Sequence, residues 1–335
     1  MKSHYCGEIT SSNLKEEVMI CGWVHRRRDH GGVIFLDIRD IRGICQAVVN
    51  PDNAKSFQLA ESIRNEYVVQ IKGSVRKRLE GTINKNMHTG EIEIEVGDLT
   101  ILSKAKTPVF PIDEYQEVNE DVRLKNRVLD LRRPEMNERI ITRSKITSLI
   151  RNFLDKNDFH EIETPILTKA TPEGARDYIL PSRVQPGSFY ALPQSPQLFK
   201  QLLMIGGLDK YYQIARCFRD EDLRADRQPE FTQIDIEASF IEQEEIMSIS
   251  EKMIKNIIKD FCGDKLEKFE VIDWHDAMRD YGCDKPDLRI PLSLVEISEQ
   301  VKDEEFKVFS EPASKKGSRV CLLYTSPSPR DTIRS

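Results

Sequence analysis

The spacing of the apolar residues changes once along this chain, and the change restricts the folds that the chain can adopt. Up to residue 105, apolar residues occur in short runs separated by turn signals, as is typical of strands. From residue 136 to residue 157 they recur every three or four positions, which predicts a long helix. Because the two spacings indicate two kinds of core, the 335 residues are expected to form at least two domains.

Residues 1–105 contain five strand-like runs, with one helical pattern at residues 52–64 between the third run and the fourth. Five strands with a helix in that position predict an all-β Greek-key barrel of the OB type. Residues 106–135 include a proline-containing stretch and are interpreted as a linker or hinge.

Residues 136–280 mix helical patterns with strand-like runs, which predicts an α+β domain on an antiparallel sheet. One helix is expected to begin with Ser195 as its N-cap and Pro196 at its first helical position. A hairpin is expected over residues 210–240, with the charged segment 219–230 connecting its two strands.

The composition excludes several classes of protein. A formal net charge of −6 excludes a uniformly basic nucleic-acid coat protein, although it allows a local basic patch. No apolar run approaches the roughly 18 residues that span a bilayer, and the first residues lack the apolar stretch of a secretory signal. The seven cysteines form no C-x-x-C pair, so neither a zinc site nor a disulfide framework is expected, and the cytoplasm is the expected compartment.

The second strand of the hairpin alternates strictly between apolar and polar residues. The apolar row is Ile234, Ile236, Ala238 and Phe240, and the polar row is Gln233, Asp235, Glu237 and Ser239. The polar row is either a solvated face, which is common in antiparallel sheets, or the floor of a polar site.

The connecting segment favours a polar site. It is longer than the usual hairpin loop of about 2–5 residues. Its sequence resembles motif 2 of class II aminoacyl-tRNA synthetases, with the matching positions Phe218, Arg219, Glu221, Arg227, Phe231 and Asp235. In this reaction the amino-acid carboxylate attacks the α-phosphate of ATP, so two anions must come together. An arginine side chain can neutralise both of them, and Arg219 is the residue expected to play this catalytic role. Glu221 can accept a hydrogen bond from adenine, and Phe231 can offer a ring face.

The segment 194–204 contains a second candidate pair. Gln197 and Lys200 are three residues apart on the expected helix and share one face. The lysine is either an ordinary solvated side chain or part of a pocket in which it meets an acidic group.

Together with residues 171–178 and 218–235, this segment resembles the bacterial aspartyl-tRNA synthetases, and the similarity extends from residue 5 to about residue 320. The resemblance implies ATP-dependent formation of aspartyl-adenylate from L-aspartate, transfer to tRNA-Asp, and a homodimer formed through the helical region that begins at residue 136. It implies aspartate contacts for Glu173, Ser195, Gln197, Lys200, Arg219, Gln233 and Asp235. It implies ATP contacts for Arg219, Glu221, Gln228 and Phe231, with Mg²⁺ on the ATP phosphates and no protein-bound metal.

The barrel carries a cluster of arginines, residues 26–28, close to Phe35. Such a cluster suits a single-stranded RNA loop, although a basic turn with Phe35 in the barrel core is the alternative. The resemblance implies that the barrel binds the anticodon through Arg26, Arg28, His30, Phe35, Gln46, Gly81 and Glu93. Some members of the family charge only tRNA-Asp, and others charge both tRNA-Asp and tRNA-Asn. His30 and Gly81 resemble the residues of the second type, whose tRNA specificity is relaxed.

The sequence departs from the family after the hairpin. The glycine-rich motif 3 and its arginine are absent, residues 281–320 resemble the start of the bacterial insertion domain, and residues 321–335 resemble nothing in the family. The last segment is expected to be a disordered, unrelated tail. Two interpretations from different classes remain: an incomplete aspartate–tRNA ligase with little adenylate-forming activity, or a catalytically inactive fragment that binds the anticodon. The asparaginyl and lysyl relatives are weaker alternatives, because the loop at Glu173 and the pair Gln197 and Lys200 favour aspartate.

Overall fold

The computed structural model describes residues 2–113, 117–171, 173–224, 227–290 and 292–323. The chain divides into two compact units, Met1–Ser148 and Leu149–Ser335. This division lies later in the chain than the segment 106–135, which the sequence predicts to be a linker, and that segment contains two short helices, Glu120–Lys125 and Arg127–Asp130.

The first unit contains a closed five-stranded barrel. Its strands are β1 (Glu17–His30), β2 (Val33–Asp40), β3 (Gly43–Val49), β4 (Val68–Lys77) and β5 (Ile92–Ser103), and α1 (Ala54–Ser62) lies between β3 and β4. The order around the barrel is β1-β2-β3-β5-β4, in which β3 and β5 are parallel and the other pairs are antiparallel. This arrangement confirms the predicted OB-type barrel.

Alternation along β2 separates the core of the barrel from its outer surface. Ile34, Leu36 and Ile38 are fully buried in the core cluster, so the residues between them lie on the outer face. Phe35 is on this outer face and only half-buried, and the alternative that it belongs to the barrel core is therefore wrong.

Two short helices, α2 (Glu120–Lys125) and α3 (Arg127–Asp130), precede the long helix α4 (Pro134–Asp155). The carboxylate of Asp130 is completely buried, and it accepts hydrogen bonds from Arg123 and Arg127. Because a buried carboxylate requires such partners, these bonds hold α2 and α3 together.

The second unit contains β6 (His160–Glu161), the hairpin β7 (Ile179–Pro181) and β8 (Phe189–Ala191), α5 (Gln197–Ile205), β9 (Lys210–Phe218), β10 (Glu230–Ala238) and α6 (Gln243–Cys262). The main sheet has the order β10-β9-β6. The antiparallel hairpin β9–β10 is as predicted, but β6 pairs with β9 in parallel, so the sheet is mixed. Parallel pairing needs a long crossover connection, and the segment that contains α5 provides it.

The start of α5 differs from the prediction by one position. Pro196 is the N-cap residue and the helix begins at Gln197, whereas the sequence suggested Ser195 as the N-cap. The Ser195 hydroxyl still accepts a hydrogen bond from the Gln197 backbone N–H, at 3.3 Å. It therefore satisfies one of the free donors of the first turn from outside the helix.

The remaining elements are α7 (Trp274–Tyr281), β11 (Leu294–Glu296), α8 (Ser298–Val301), α9 (Lys307–Ser314) and β12 (Cys321–Leu323). β11 and β12 form an antiparallel pair, so the expected disorder does not apply to residues 321–323. Residues 324–335 of the expected tail lie outside the described residues. Across the described ranges, the helices are too short or too polar to cross a membrane.

Candidate functional site

The polar row of β10 lies on the more buried face of the hairpin. Asp235 is 7% exposed, whereas Ile234 in the apolar row is 40% exposed and Phe240 beyond the strand is 98% exposed. The polar row is therefore not a solvated sheet face, and β10 offers its polar side chains to the α5 side of the sheet.

Lys200 of α5 projects onto this polar row. Its Nζ atom lies 2.9 Å from Oδ1 of Asp235 and 3.3 Å from Oε2 of Glu237, and its side chain is 10% exposed. Burial alone would lower the pKa of Lys200, but the bonds to Asp235 and Glu237 outweigh burial and raise it. Lys200 is therefore a protonated pocket residue at neutral pH, and the surface interpretation is wrong.

Within the described residues, the ion pair leaves one hydrogen-bond donor of Lys200 and one hydrogen-bond acceptor of Asp235 unused. An ammonium group has three donors, and Asp235 and Glu237 accept two of those on Lys200. The other oxygen of Asp235, Oδ2, is buried and has no hydrogen-bond partner among the described residues. The site can therefore offer one N–H donor to an incoming carboxylate and one carboxylate oxygen to an incoming ammonium group.

Neutral polar groups surround this ion pair. The Tyr211 hydroxyl donates to Oε1 of Gln213 at 2.8 Å, and burial together with the charge of Asp235 raises the pKa of Tyr211. The Cys217 thiol lies 3.3 Å from Oε1 of Gln233, and burial raises the pKa of this thiol to about 11. Both groups stay protonated at neutral pH, so they act as hydrogen-bond donors and not as charges.

The loop before α5 brings Glu173 to the helix start. The Ser195 hydroxyl lies 3.1 Å from Oε2 of Glu173, so two residues that the sequence suggested for the aspartate site are in contact. Gln194, which was given no role at the sequence level, is 2% exposed and binds Ala175 and Asp177. The sequence carries no signal for this role, because the partners depend on how the loop folds back.

A polar cavity of about 310 Å³ lies between this loop and the segment that connects β9 to β10. Its lining residues are Gly174, Ala175, Arg176, Asp220, Glu221, Asp222, Arg224 and Arg227. Three arginines and three carboxylates face the same space, and one pair of them, Arg227 and Glu221, is 3.4 Å apart. Such a mixed lining can bind a ligand that has both anionic and hydrogen-bonding groups.

Three of the residues expected to bind ATP do not line this cavity within the described part of the chain. The guanidinium of Arg219 lies 5.1 Å from the ring centroid of Phe231, which is a cation–π geometry. Gln228 is exposed on the connecting segment. Arg219 and Phe231 are thus adjacent to each other, and Glu221 lies in the cavity wall.

A second polar cluster lies on the outer face of the barrel. Arg28 donates to Oδ1 of Asp37 at 2.7 Å and to Oε1 of Gln46 at 3.2 Å, and Gln46 donates to Oε2 of Glu93 at 3.0 Å. Phe35 is the cross-strand partner of Arg28. Burial raises the pKa of Asp37, and Arg28 opposes this shift. Four of the residues expected to read the anticodon therefore share one surface.

Arg76 of β4 belongs to this cluster and was missed at the sequence level. It donates to Glu93 at 2.9 Å and to Glu95 at 2.8 Å. The pairing of β4 with β5 sets Arg76 opposite Glu93, so the correct strand register would have revealed it.

The other residues expected to read the anticodon are exposed. Arg26 and His30 lie on β1, and Gly81 lies in the loop between β4 and β5. Gly81 has a φ of +88°, so a residue with a Cβ atom would be strained at this position.

Comparisons with known proteins agree with this arrangement. The family model for tRNA synthetases class II (D, K and N) matches residues 119–328, and the model for the OB-fold nucleic acid binding domain matches residues 18–102. The asparaginyl-tRNA synthetase from Pyrococcus horikoshii complexed with asparaginyl-adenylate is 28% identical, with a TM-score of 0.68, and the match covers 77% of this chain and 58% of that one. A putative aspartyl-tRNA synthetase from Leishmania major Friedlin is 24% identical, with a TM-score of 0.67, over 76% of this chain and 51% of that one.

The barrel and the hairpin site are those of a class II tRNA synthetase with an OB-fold nucleic-acid-binding domain. Because the first of these family models matches more than half of the chain, the chain belongs to the D, K and N group of this class. It spans between about half and three fifths of the length of the solved structures that it resembles.

Proposed function

We propose that the hairpin site activates L-aspartate with ATP, forming aspartyl-adenylate, and passes the aspartyl group to tRNA-Asp. The observation that carries this proposal is the buried Lys200 beside Asp235: counting partners among the described residues alone, Lys200 has one N–H donor left and Oδ2 of Asp235 has no partner. The free donor suits the side-chain carboxylate of aspartate, and Oδ2 suits its ammonium group. Asparagine could offer only a neutral carbonyl oxygen to Lys200, so its hydrogen bond would be weaker.

The neighbouring residues support the roles proposed for them. Ser195 contacts Glu173 beside the start of α5, where Glu173 can close over the bound amino acid, and Gln197 follows on the first turn. Gln233 of β10 lies two residues from Asp235, on the same face of the strand. These groups would position the aspartate before its α-carboxylate meets ATP.

ATP is proposed to bind at Arg219, Glu221, Gln228 and Phe231. Arg219 is already adjacent to Phe231, so an adenine that stacks on this ring would share it with, or displace, the guanidinium. A freed guanidinium could neutralise the α-phosphate and the attacking carboxylate together.

Mg²⁺ is proposed to arrive with ATP and not to bind a site built by the protein alone. The described residues contain no group of three or more metal-binding side chains, although Asp220, Glu221 and Asp222 line the cavity. Mg²⁺ commonly uses one or two carboxylates together with substrate phosphates, and this donor set fits that pattern. Bound there, the ion would offset negative charge on the phosphates.

The outer face of the barrel is proposed to bind the anticodon loop of tRNA-Asp. The Arg28–Asp37–Gln46–Glu93 cluster offers hydrogen-bonding groups to base edges, and the half-buried Phe35 offers a ring for stacking. His30 and Gly81, both exposed, are proposed to admit tRNA-Asn as a second acceptor. A homodimer formed through the helical region that begins at residue 136, working in the cytoplasm, completes the proposal.

A fragment that binds the anticodon without catalysis is the second candidate. The observation that favours it is a complete, closed barrel in a chain that spans 58% of a solved relative.

Single-turnover formation of adenylate separates the two candidates. The chain would be mixed with radiolabelled ATP, Mg²⁺ and one amino acid at a time, and the adenylate measured in the presence of pyrophosphatase. Slow formation of adenylate with aspartate, and none with asparagine or lysine, is the expected result. Adenylate with asparagine or lysine instead would refute the aspartate site, whereas binding of tRNA-Asp without any adenylate would support the fragment.

A further inference from the structure

Gln194 holds the loop before α5 through its side-chain amide. The Ala175 N–H donates to Oε1 of Gln194 at 2.9 Å, and Nε2 of Gln194 donates to the Ala175 carbonyl at 2.8 Å. The same Nε2 atom also donates to Oδ1 of Asp177. Because Gln194 is 2% exposed, losing these bonds would leave buried polar groups without partners.

The residues that Gln194 holds are connected to both halves of the proposed site. Two residues before Ala175, Glu173 accepts a hydrogen bond from Ser195 on the amino-acid side. One residue after Ala175, Arg176 exchanges hydrogen bonds with Asp220: the Asp220 N–H donates to the Arg176 carbonyl at 3.0 Å, and Nε of Arg176 donates to the Asp220 carbonyl at 3.4 Å. Asp220 is directly between Arg219 and Glu221 in the chain.

Residues 173–177 therefore form a short physical bridge between the amino-acid pocket and the nucleotide cavity, and Gln194 fixes the middle of that bridge. Thr171 adds a further bond, because its backbone N–H donates to Oδ2 of Asp177 at 3.1 Å. A segment fixed at its centre transmits a displacement from one end to the other, whereas a loose segment absorbs it.

We propose that Gln194 is a positioning residue that couples the binding of the amino acid to the binding of ATP. This inference rests on the proposed function, because it assigns aspartate to one end of the bridge and ATP to the other. Gln194 is not proposed to contact either substrate. Its effect is a coupling free energy between two sites, which appears as a change in the affinity for ATP when aspartate is bound.

The test measures the affinity for ATP with and without saturating aspartate, using a fluorescent, non-hydrolysable ATP analogue with Mg²⁺. In the unmodified chain we expect aspartate to raise the affinity for the analogue at least about 5-fold, the lower end of typical coupling. In Gln194→Ala the factor should fall to about 1, while each ligand alone keeps its affinity within about 3-fold. The exposed Gln185 provides the matched control, and Gln185→Ala should keep the full factor.

Two further variants test whether the coupling depends on the hydrogen bonds of Gln194 and not merely on the packing of the loop. Gln194→Glu cannot donate to Ala175 or Asp177 and should lose the coupling as Gln194→Ala does. In the double variant Gln194→Glu with Asp177→Asn, the amide introduced at position 177 can donate to the carboxylate introduced at position 194. This hydrogen bond should recover part of the coupling. If Gln194 acted only by filling space, Asp177→Asn would not restore the coupling.

Hydrogen–deuterium exchange gives a readout that needs no ligand. The amides of Ala175 and Asp220, which are hydrogen-bonded in the bridge, should exchange faster in Gln194→Ala than in Gln185→Ala. Unchanged coupling in Gln194→Ala would overturn the inference and leave the proposed function intact, and so would a factor of 1 in the unmodified chain. An unmodified chain that binds neither aspartate nor the analogue would overturn the proposed function itself, and the coupling inference with it.

Discussion

Replacing Lys200 with methionine keeps most of the length of this side chain but removes the charge between Asp235 and Glu237. The side chains of Lys200 and Asp235 are 10% and 7% exposed, and that of Glu237 is 32% exposed. Glu237 can therefore turn towards water, but Asp235 cannot. After the substitution both carboxylate oxygens of Asp235 would be buried without a partner, because Oδ2 already lacks one within the described residues.

Removing one partner of a buried ion pair costs about 3–5 kcal/mol, because the remaining charge is left uncompensated. For a unit of this size, each kcal/mol corresponds to about 2–4 °C, so the melting temperature should fall by roughly 6–20 °C. Adding Asp235→Asn removes the isolated charge, and the double variant should recover at least about 1 kcal/mol of the loss.

Urea unfolding, followed by circular dichroism, measures these free energies. Lys252→Met is the matched control, because Lys252 is an exposed lysine in the middle of α6, and its loss should change stability by no more than about 0.5 kcal/mol. If Lys200→Met costs no more than this control, or if Asp235→Asn recovers nothing, the buried pair does not have the strength that its geometry indicates.

Three further predictions concern the anticodon surface, the pH dependence of stability and the nucleotide site. Phe35→Ala should weaken binding of the tRNA-Asp anticodon stem–loop by about 1–3 kcal/mol in a filter-binding assay, and unchanged affinity would exclude stacking on this ring. Burial and the neighbouring Arg39 lower the pKa of His25 below 6.5, so its contribution to stability is present above pH 6.5 and is lost as the pH falls through the lower folded-state pKa. His25→Gln should therefore flatten the fall in unfolding free energy between about pH 7 and pH 5, and an equally steep fall in urea titrations would contradict this. Arg219→Ala should weaken binding of the ATP analogue by about 10–100-fold, and binding equal to that of the unmodified chain would exclude Arg219 from the nucleotide site.

The sequence predicted the parts of the fold that follow from local patterns. The alternation in β2 and the runs around it were sufficient for the barrel, because strand period and turn residues are properties of short segments. The strict alternation in β10 also identified the polar row, although only the structure distinguishes a buried polar face from a solvated one. The contact of Lys200 with Asp235 was open at the sequence level, because it joins residues 35 positions apart.

The features that the sequence missed depend on contacts between distant segments. The bonds of Gln194 require the loop to fold back over 19 residues, and those of Arg76 require the register of β4 against β5. The parallel pairing of β6 was missed for the same reason, since two residues carry no directional signal. The helical residues 120–130 were missed because this segment packs through charged groups such as Asp130, and it shows little apolar periodicity.

Binding of aspartate and of asparagine to the same chain tests whether Lys200 selects a carboxylate side chain. Calorimetric titration of the chain with L-aspartate and then with L-asparagine, in the presence of a non-hydrolysable ATP analogue and Mg²⁺, measures the two dissociation constants. Because the protonated Lys200 distinguishes a carboxylate from an amide, aspartate should bind at least about 10-fold more tightly, and Lys200→Met should abolish this preference. Equal affinity for the two amino acids, or tighter binding of asparagine, would contradict the proposed function.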